Sequence, residues 1–289
     1  MRALLAADGS EHGTAALRTA CRILSTKDRC VDLLCIAPRV NPRKVGLQER
    51  VERHAQRIAE RVSEIFAEEG VSTKPRVHIG SAARVLIGCS PGYDIVVAAA
   101  QSHRGTSTSG LGPVASRMLE HARSSVLLAR GTGAGTPMKV LIPVDGSEGA
   151  LRGLEKLQSL VDLTAAEVTL MHVVETPWVR PVDDQEWLSL QDDVGEEPNS
   201  DFEREFTQEA ETLMEAARDR LPQGTAVSTM IDRGIPTEQI LSEADTGEYD
   251  LIVLSATGER DLKHRILGSV SSKVAWSAPC SVLLVHSGD

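Results

Sequence analysis

The sequence predicts an α/β protein built from two related domains in tandem. Its 289 residues match the length of about two ordinary domains. A segment near the start, Leu4 to Glu11, returns as Leu141 to Glu148 at a shift of 137 positions. The end of each copy repeats as well, since Ser125 to Leu128 matches Ser281 to Leu284 at a shift of 156. The difference between the two shifts, 19 residues, is an insertion inside the second copy.

Each copy begins with a short apolar strand that leads through a turn into a helix. The strands cover Ala3 to Ala7 and Val140 to Val144, and Asp-Gly-Ser-Glu follows directly after each. Apolar residues then recur at helical spacing, as in Leu151, Leu154 and Leu157. Because Asp and Ser are preferred at helix N-termini, this order of residues predicts strand, turn and helix.

The later elements alternate between strand and helix in the same way. Continuous apolar runs predict the second, fourth and fifth strands, because strands that are covered on both faces are apolar throughout. These runs are 31–37, 95–99 and 126–129 in the first copy and 167–174, 252–255 and 282–286 in the second. The third strands end at Gly80 and Gly234. Repeated strand–helix units predict a parallel sheet with helices on both faces and right-handed crossovers.

A long amphipathic helix is predicted before the third strand of each copy. One face of each helix is apolar, as expected for a helix that packs on a sheet. The residues of these faces are Leu47, Val51, Ala55, Ile58, Val62 and Ile65 in the first copy and Phe202, Phe206, Ala210, Leu213, Ala217 and Leu221 in the second.

A Gly-rich connector, Arg130 to Pro137, separates the two copies and has no apolar periodicity. We therefore expect a first domain at 1–130 and a second at 138–289. No apolar run approaches the 18 or so residues of a membrane span, and Met1 leads straight into the first repeated strand. We expect a soluble cytoplasmic protein with no membrane partner. The five cysteines include no Cys-x-x-Cys pair, so neither a disulfide framework nor structural zinc is expected.

The net charge of −10 is unevenly distributed. Ten acidic residues and one arginine lie between Asp183 and Glu205, so this segment, the acidic stretch, supplies −9. A chain without a net positive field does not attract phosphates, which disfavours a nucleic-acid partner. The acidic stretch is interpreted as a solvated loop, and a docking surface for a basic protein partner is the alternative.

The loop after the fourth strand of the second copy carries glycines at a distinctive spacing. Ser255-Ala256-Thr257-Gly258 is followed by nine residues and then by Gly268-Ser269-Val270. With the repeated elements, this loop resembles the universal stress protein family in its tandem form, over almost the whole chain. Nucleotide-binding members of that family carry Gly-x-x-Gly, nine residues, and Gly followed by Ser or Thr. In this chain Ser255 replaces the first glycine. The resemblance implies a five-stranded, Rossmann-like parallel sheet of order 3-2-1-4-5 in each domain.

That strand order implies a ligand crevice between the first and fourth strands, where doubly wound sheets bind their ligands. Gly258 allows the backbone to approach a ribose or phosphate without an intervening Cβ. Gly268 and Ser269 begin a helix, whose free N–H groups and dipole attract phosphate. The resemblance implies a site for ATP or AMP, with magnesium accompanying the nucleotide. The implied site residues are Pro143, Asp145, Val173, Leu254, Ser255, Thr257, Gly258, Gly268, Ser269 and Val270.

These residues also have structural interpretations. Asp145 is a good helix-capping residue, and glycines often serve ordinary turns. Val173 fits the core of the second strand. At Ser255 the additional Cβ is either accommodated or crowds the ribose, and the sequence leaves both alternatives open. His172 and His264 have no partners at metal-ligand spacing, so we expect no metal site formed by the protein alone.

The first copy departs further from the glycine pattern. When Gly112 is aligned with Gly268, three other positions of the loop differ, namely Ala99, Ser102 and Pro113. Proline suits the first turn of a helix but has no N–H to donate. We expect the first domain to have a degenerate loop and to replace the second subunit of the family's homodimer within one chain. Binding of another anion by the loop residues 103–105 is the alternative.

Three functions are compatible with this pattern. The first is a stress-response regulatory protein that binds an adenine nucleotide, ATP or AMP, in its second domain. The second is a nucleotide-free module for a protein or small ligand, and the third is a slow ATPase. The chain has no Walker lysine, and Asp145 to Glu148 does not match the Ser-Gly-Gly-x-Asp-Ser loop of adenylating enzymes. No nucleophile–base pair can be assembled, so we do not expect an enzyme. A homodimer of the whole chain and an unidentified protein partner stay open.

Overall fold

The computed structural model describes residues 1–25, 29–101, 110–131, 136–175, 200–256 and 267–286, the side chains of 200–207 excepted. Strands and helices alternate along both halves of the described chain. The elements of the first half are β1 Arg2–Ala7, α1 Glu11–Ile23, β2 Cys30–Ala37, α2 Leu47–Glu68, β3 Thr73–Ile79, α3 Ala82–Cys89, β4 Ile95–Ala99, α4 Pro113–His121 and β5 Ser125–Ala129. A 3-10 turn, Ser90–Gly92, follows α3.

The second half repeats this order of elements. They are β6 Met138–Pro143, α5 Glu148–Leu160, β7 Ala166–Val174, α6 Ser200–Arg218, β8 Ala226–Arg233, α7 Pro236–Thr246, β9 Leu251–Ser255, α8 Ser269–Ser277 and β10 Ser281–Val285. The strands begin and end within two residues of the apolar runs that predicted them.

The ten strands of the described residues belong to one sheet of order β3-β2-β1-β4-β5-β10-β9-β6-β7-β8. Strands within each half are parallel, and each half has the order 3-2-1-4-5. The α/β fold class, the parallel sheet and the strand order are therefore confirmed. The two halves meet where β10 pairs antiparallel with β5, with Leu283 opposite Leu127.

Two equivalent hydrogen bonds close the ends of this central strand pair. The Arg130 N–H donates to Ser281 Oγ at 3.1 Å, and the His286 N–H donates to Ser125 Oγ at 3.2 Å. Both serines are buried. Arg130 corresponds to His286 in the other half, and Ser125 corresponds to Ser281, so the two bonds are equivalent and the central pair follows a local twofold relation.

Helices cover both faces of the sheet. Buried side chains of α1, α2, α5 and α6 form one core, which includes Leu17, Phe66, Leu154 and Met214. The opposite core contains side chains of α3, α4, α7 and α8. Each core contains residues of both halves, so the two repeats are packed against each other. Among the described helices, none is long and apolar enough to cross a membrane.

The predicted helical faces are largely those that pack on the sheet. In α2 the fully buried residues are Ala55, Ala59, Val62 and Phe66. Phe66 was not among the predicted core residues, although it is fully inaccessible. Its burial shows that the last turn of α2 still faces the sheet. The predicted apolar face of this helix ended one residue earlier, at Ile65.

Candidate functional site

A crevice opens between the carboxyl ends of β6 and β9 in the second half. These strands pair only at Val140 with Leu251 and at Leu141 with Ile252. Beyond that point β6 pairs only with β7, and β9 pairs only with β10. The separation leaves a narrow cleft against α5. Its lining includes Pro143, Val144, Gly153, Leu254 and Ser255. At about 10 Å³ the cleft has room for one water-sized group.

Asp145 forms the turn that leads from β6 into α5. Its Oδ1 accepts hydrogen bonds from the Ser147 N–H at 3.0 Å and the Ser147 hydroxyl at 2.7 Å. Ser147 Oγ in turn accepts from the Ala150 N–H at 3.1 Å and caps the helix. Gly146 between them has a φ of +80°, which favours glycine at this turn.

The first half contains the same turn. Asp8 Oδ1 accepts from the Ser10 N–H and hydroxyl at 2.9 and 2.7 Å, and Gly9 has a φ of +76°. This half lacks two of the three loop glycines, yet the turn is unchanged. The Asp-Gly-Ser sequence is therefore explained by helix capping in both halves, and Asp145 is placed at the crevice by that same requirement.

Ser255 ends β9 and turns its side chain toward α5. A Cβ placed on Gly153 of α5 would stand 3.9 Å from both Cβ and Oγ of Ser255. The side chain therefore occupies space that Gly153 leaves open on the helix. In the first half the corresponding residues are Ala16 and Ala99, both with one methyl group. The structure thus accommodates the Cβ that replaces the family's glycine.

The N-terminus of α8 lies beside the end of β9. Gly268 is its N-cap residue, and no side chain caps the helix there. The first N–H groups of a helix, here those of Ser269, Val270 and Ser271, have no acceptor within the helix. The Ser271 hydroxyl donates to the Ser255 carbonyl at 2.9 Å and holds the helix against the strand end.

The other implied residues have mixed surroundings. Leu254 is buried, and Val173 and Val270 are half-buried against the core of α7 and α8. Pro143 is the half-buried last residue of β6. His172 donates from Nδ1 to the Val144 carbonyl at 2.9 Å, which ties β7 to the end of β6. Its position beside the crevice therefore has a structural cause.

The corresponding helix of the first half is less open to an anion. It begins at Pro113 with Gly112 as its N-cap residue, as the alignment predicts. Pro113 has no N–H, and the Gly112 N–H donates to the Ala100 carbonyl at 2.8 Å. No such bond joins Gly268 and Ala256 in the described part of the second half. The start of α4 therefore lacks one N–H donor, at Pro113, and has a second one engaged, at Gly112.

Some of the implied residues lie outside the described ranges. They are Thr257 and Gly258 of the second loop, together with Ser102, residues 103–105, His264 and residues 183–199 of the acidic stretch. Within the described ranges, no group of three or more His, Cys, Asp or Glu residues has an arrangement that could hold a metal ion.

Two residues at the site were missed from the sequence. Gly153 makes room for Ser255, and Ser271 connects α8 with β9. A comparison of the two copies could have pointed to both residues, because the first half has different residues, Ala16 and Ala115, at the equivalent positions. The pattern used for the loop ended at Val270 and therefore did not include Ser271.

Comparison with known proteins gives a consistent result for both halves. The model of the universal stress protein family matches residues 1–130 and again residues 137–286. Universal stress protein MJ0577 of Methanocaldococcus jannaschii is 32% identical over 154 residues, which cover 51% of this chain and 93% of that protein. A universal stress protein of Mycolicibacterium smegmatis is 27% identical over 98% of this chain and 96% of its own length. The crystal structure of a universal stress protein from Archaeoglobus fulgidus, 18% identical, covers 99% of this chain and 98% of that one with a TM-score of 0.67.

Proposed function

This chain belongs to the universal stress protein family, in tandem form, and on that premise we propose that it is a regulatory protein that binds one adenine nucleotide. The nucleotide, ATP or AMP, would bind at the carboxyl ends of β6 and β9 in the second half. The first half would act as the structural partner of the second. The family pattern of the loop and the contrast between the two helix N-termini carry this proposal.

The helix N-termini support binding in the second half. At α8 an uncapped N-terminus follows Gly268, whose lack of a side chain leaves room for a phosphate group. The backbone donors and the helix dipole both favour an anion there. At α4 one donor is absent at Pro113 and another is used by Ala100. One polyphosphate chain would therefore be held by the second half.

The packing of Ser255 supports binding. Its side chain faces Gly153 of α5, which has no side chain of its own to oppose it. The Ser255 backbone carbonyl accepts the Ser271 hydroxyl, which positions the start of α8. The crevice therefore keeps its form with serine at this position.

Support for the partner role of the first half comes from the central strand pair. The antiparallel contact between β5 and β10 and its two serine hydrogen bonds form within one chain. Linking two binding surfaces covalently raises their effective concentration to the millimolar range. The first half would thus support the second without needing a functional nucleotide loop.

The direct test is native mass spectrometry of the freshly purified protein, followed by calorimetry with ATP and with AMP. We expect one nucleotide per chain. A ligand at a hundred times its dissociation constant should also stabilise the folded state by about 2.7 kcal/mol, visible as a higher melting temperature. If neither nucleotide is retained, bound or stabilising at millimolar concentration with magnesium, the proposal is wrong and a nucleotide-free module is favoured. Slow release of phosphate from bound ATP would identify the ATPase alternative.

A further inference from the structure

A second pocket lies at the end of the second half that is opposite to the crevice. Lys139, Glu167 and Ala226 stand side by side there, near the amino ends of β6, β7 and β8. Arg218, the last residue of α6, and Gly247, which follows α7, also line it. Its volume of about 710 Å³ lies within the range of small-molecule sites. We call it the amino-end pocket, and its lining shares no residue with the crevice.

The charged side chains of the amino-end pocket are unpaired in the described part of the chain. They are two cations, Lys139 and Arg218, and one carboxylate, Glu167. None of the three forms an ion pair, although Lys139 and Glu167 are direct neighbours on adjacent strands. Charges without partners add nothing to the stability of the fold, so folding alone does not explain why they stand together here.

Hydroxyl groups also line the amino-end pocket. The hydroxyls of Thr169 and Ser228 are hydrogen-bonded to each other at 3.1 Å across β7 and β8. Thr225 Oγ1 is buried and has no hydrogen-bond partner among the described residues. The residue at this position in the first half is Val71, which is buried and apolar. Because a buried hydroxyl without a partner lowers stability, packing alone does not explain Thr225.

In the first half the charged groups at this end of the sheet interact with one another. The guanidinium carbon of Arg2 lies 5.0 Å from the centre of the Tyr93 ring. The Tyr93 hydroxyl donates to Asp32 Oδ2 at 2.6 Å, and Arg76 forms an ion pair with the same oxygen at 3.6 Å. The first half therefore uses its own side chains to satisfy the charges at this place.

The second half lacks this network because its residues differ. Thr169 stands where the first half has Asp32, so no carboxylate is available there. The Tyr249 hydroxyl donates instead to Glu243 of α7 at 2.7 Å. The only hydrogen bond that the structure gives Lys139 outside the sheet comes from its backbone N–H, which donates to Asp250 at 2.8 Å. The Lys139 side chain therefore stands at the pocket without a partner among the described residues.

We propose that the amino-end pocket binds a small zwitterion of the amino-acid type. Its ammonium group pairs with Glu167, where the carboxyl end of α7 also favours a cation. Its carboxylates pair with Lys139 and Arg218. A ligand with charge of one sign only would leave part of the lining unmatched. Two cations against one carboxylate favour an acidic amino acid over a neutral one.

The test is calorimetry with L-glutamate as the probe and two analogues as matched compounds. Glutarate lacks the ammonium group, and γ-aminobutyrate lacks the α-carboxylate. At low salt, which limits screening, we expect the wild-type protein to bind L-glutamate with a Kd of about 1 mM or tighter. Each analogue should bind about tenfold more weakly or worse, because one charged group of the pocket is left unpaired.

Variants that remove one charge each locate the site. Lys139→Gln and Arg218→Gln should each weaken binding of L-glutamate by about tenfold or more. Glu167→Gln should weaken L-glutamate but not glutarate, since it removes a repulsion from the dicarboxylate. The control is Lys74→Gln on β3, an exposed lysine of the first half, and it should bind L-glutamate as the wild type does. Circular dichroism checks the fold of all four variants.

Several outcomes would overturn the proposal. The first is that neither L-glutamate nor any other standard amino acid binds at about 10 mM. Others are glutarate bound by the wild type as tightly as L-glutamate, or equal affinities in the three pocket variants and the control. Competition between ATP and L-glutamate would show that both use the crevice. Binding of glucose in place of every amino acid would assign the pocket to a neutral polyhydroxylated ligand.

Discussion

At the scale of single residues, the two copies act as an internal control for each other. Asp8 and Asp145 make the same hydrogen bonds, although only one of them stands next to a near-complete glycine loop. Capping alone therefore explains their presence. The informative positions are those that differ, above all Pro113 against Ser269 and Gly153 against Ala16. The first difference changes the number of backbone N–H donors, and the second changes the space beside the strand end. Neither changes the Asp-Gly-Ser turn.

We predict that Gly268→Val abolishes or strongly weakens nucleotide binding. Among the described residues, a Cβ at this position would contact only Ser271 Oγ, at an ordinary 3.8 Å, so the protein itself should tolerate the side chain. Its branches would instead occupy the volume that a phosphate needs at the helix N-terminus. Calorimetry with ATP measures the effect, and circular dichroism checks the fold.

The matched control for this substitution is Gly112→Val in the first half. Nucleotide affinity should not change, although the first half will lose stability if the N-cap of α4 is disturbed. A stoichiometry near two in the wild-type protein, or equal losses of affinity in the two variants, would show that the first loop also binds nucleotide.

At the scale of elements, each helix adapts to the strand end on which it packs. Helix α5 carries Gly153 where Ser255 approaches, whereas α1 carries Ala16 where β4 ends in Ala99. The sum of side-chain volume at the contact is similar in both halves. Close packing of this kind explains why glycine is present in the interior of α5 despite its low helix propensity.

Replacing Gly153 by Ala tests how tight that contact is. The added methyl group would lie 3.9 Å from Ser255, which is normal van der Waals contact, and alanine favours the helix over glycine. We expect Gly153→Ala to stabilise the protein by roughly 0.5–1 kcal/mol in urea unfolding. Destabilisation would show that Ser255 already fills the space, and that the double change Gly153→Ala with Ser255→Ala is needed to restore stability.

Elements could be predicted from the sequence far better than contacts. Apolar runs defined the strands, and Gly112 with Pro113 and Gly268 with Ser269 correctly marked the beginnings of two helices. The side-chain direction of Ser255 could not be predicted, because it depends on which helix crosses the strand end and at what distance. The hydrogen bond from the Ser271 hydroxyl could not be predicted either, because it joins residues sixteen positions apart and forms only where α8 packs against the end of β9.

At the scale of the whole molecule, one sheet makes the two halves a single packing unit. Contacts between them extend beyond the central strands. Leu24 forms a bridge with Val161, and the Ser25 N–H donates to the Leu160 carbonyl at 2.8 Å. On the other face, a Cβ on Gly110 would stand 3.3 Å from the indole of Trp276 in α8. The halves should therefore unfold together.

The protein should lose stability in alkaline solution. Burial raises the pKa of Cys21 and Cys35 to about 11 and that of Cys280 to about 12, from an ordinary 9.0. The folded state keeps these protons while the unfolded chain releases them, so stability present below pH 9 declines as the pH rises toward the folded values. Tyr93 and Tyr249, with pKa values raised by burial to about 12, act in the same direction.

Urea unfolding at intervals from about pH 8 to about pH 11 measures this loss. A variant with alanine at Cys21, Cys35 and Cys280 should show a smaller decline over the same range. Equal slopes in the two proteins would mean that the three thiols are not responsible for it.

The antiparallel pairing of β5 with β10 within one chain also bears on how the two halves could diverge. In a homodimer any substitution appears in both subunits at once, so a proline in the loop helix would damage both sites together. Fusion removes that constraint, because Pro113 and Ser269 are encoded separately. One half can then accumulate changes in its loop while the other preserves the crevice. The broken symmetry of this chain is a freedom that only the joined arrangement permits.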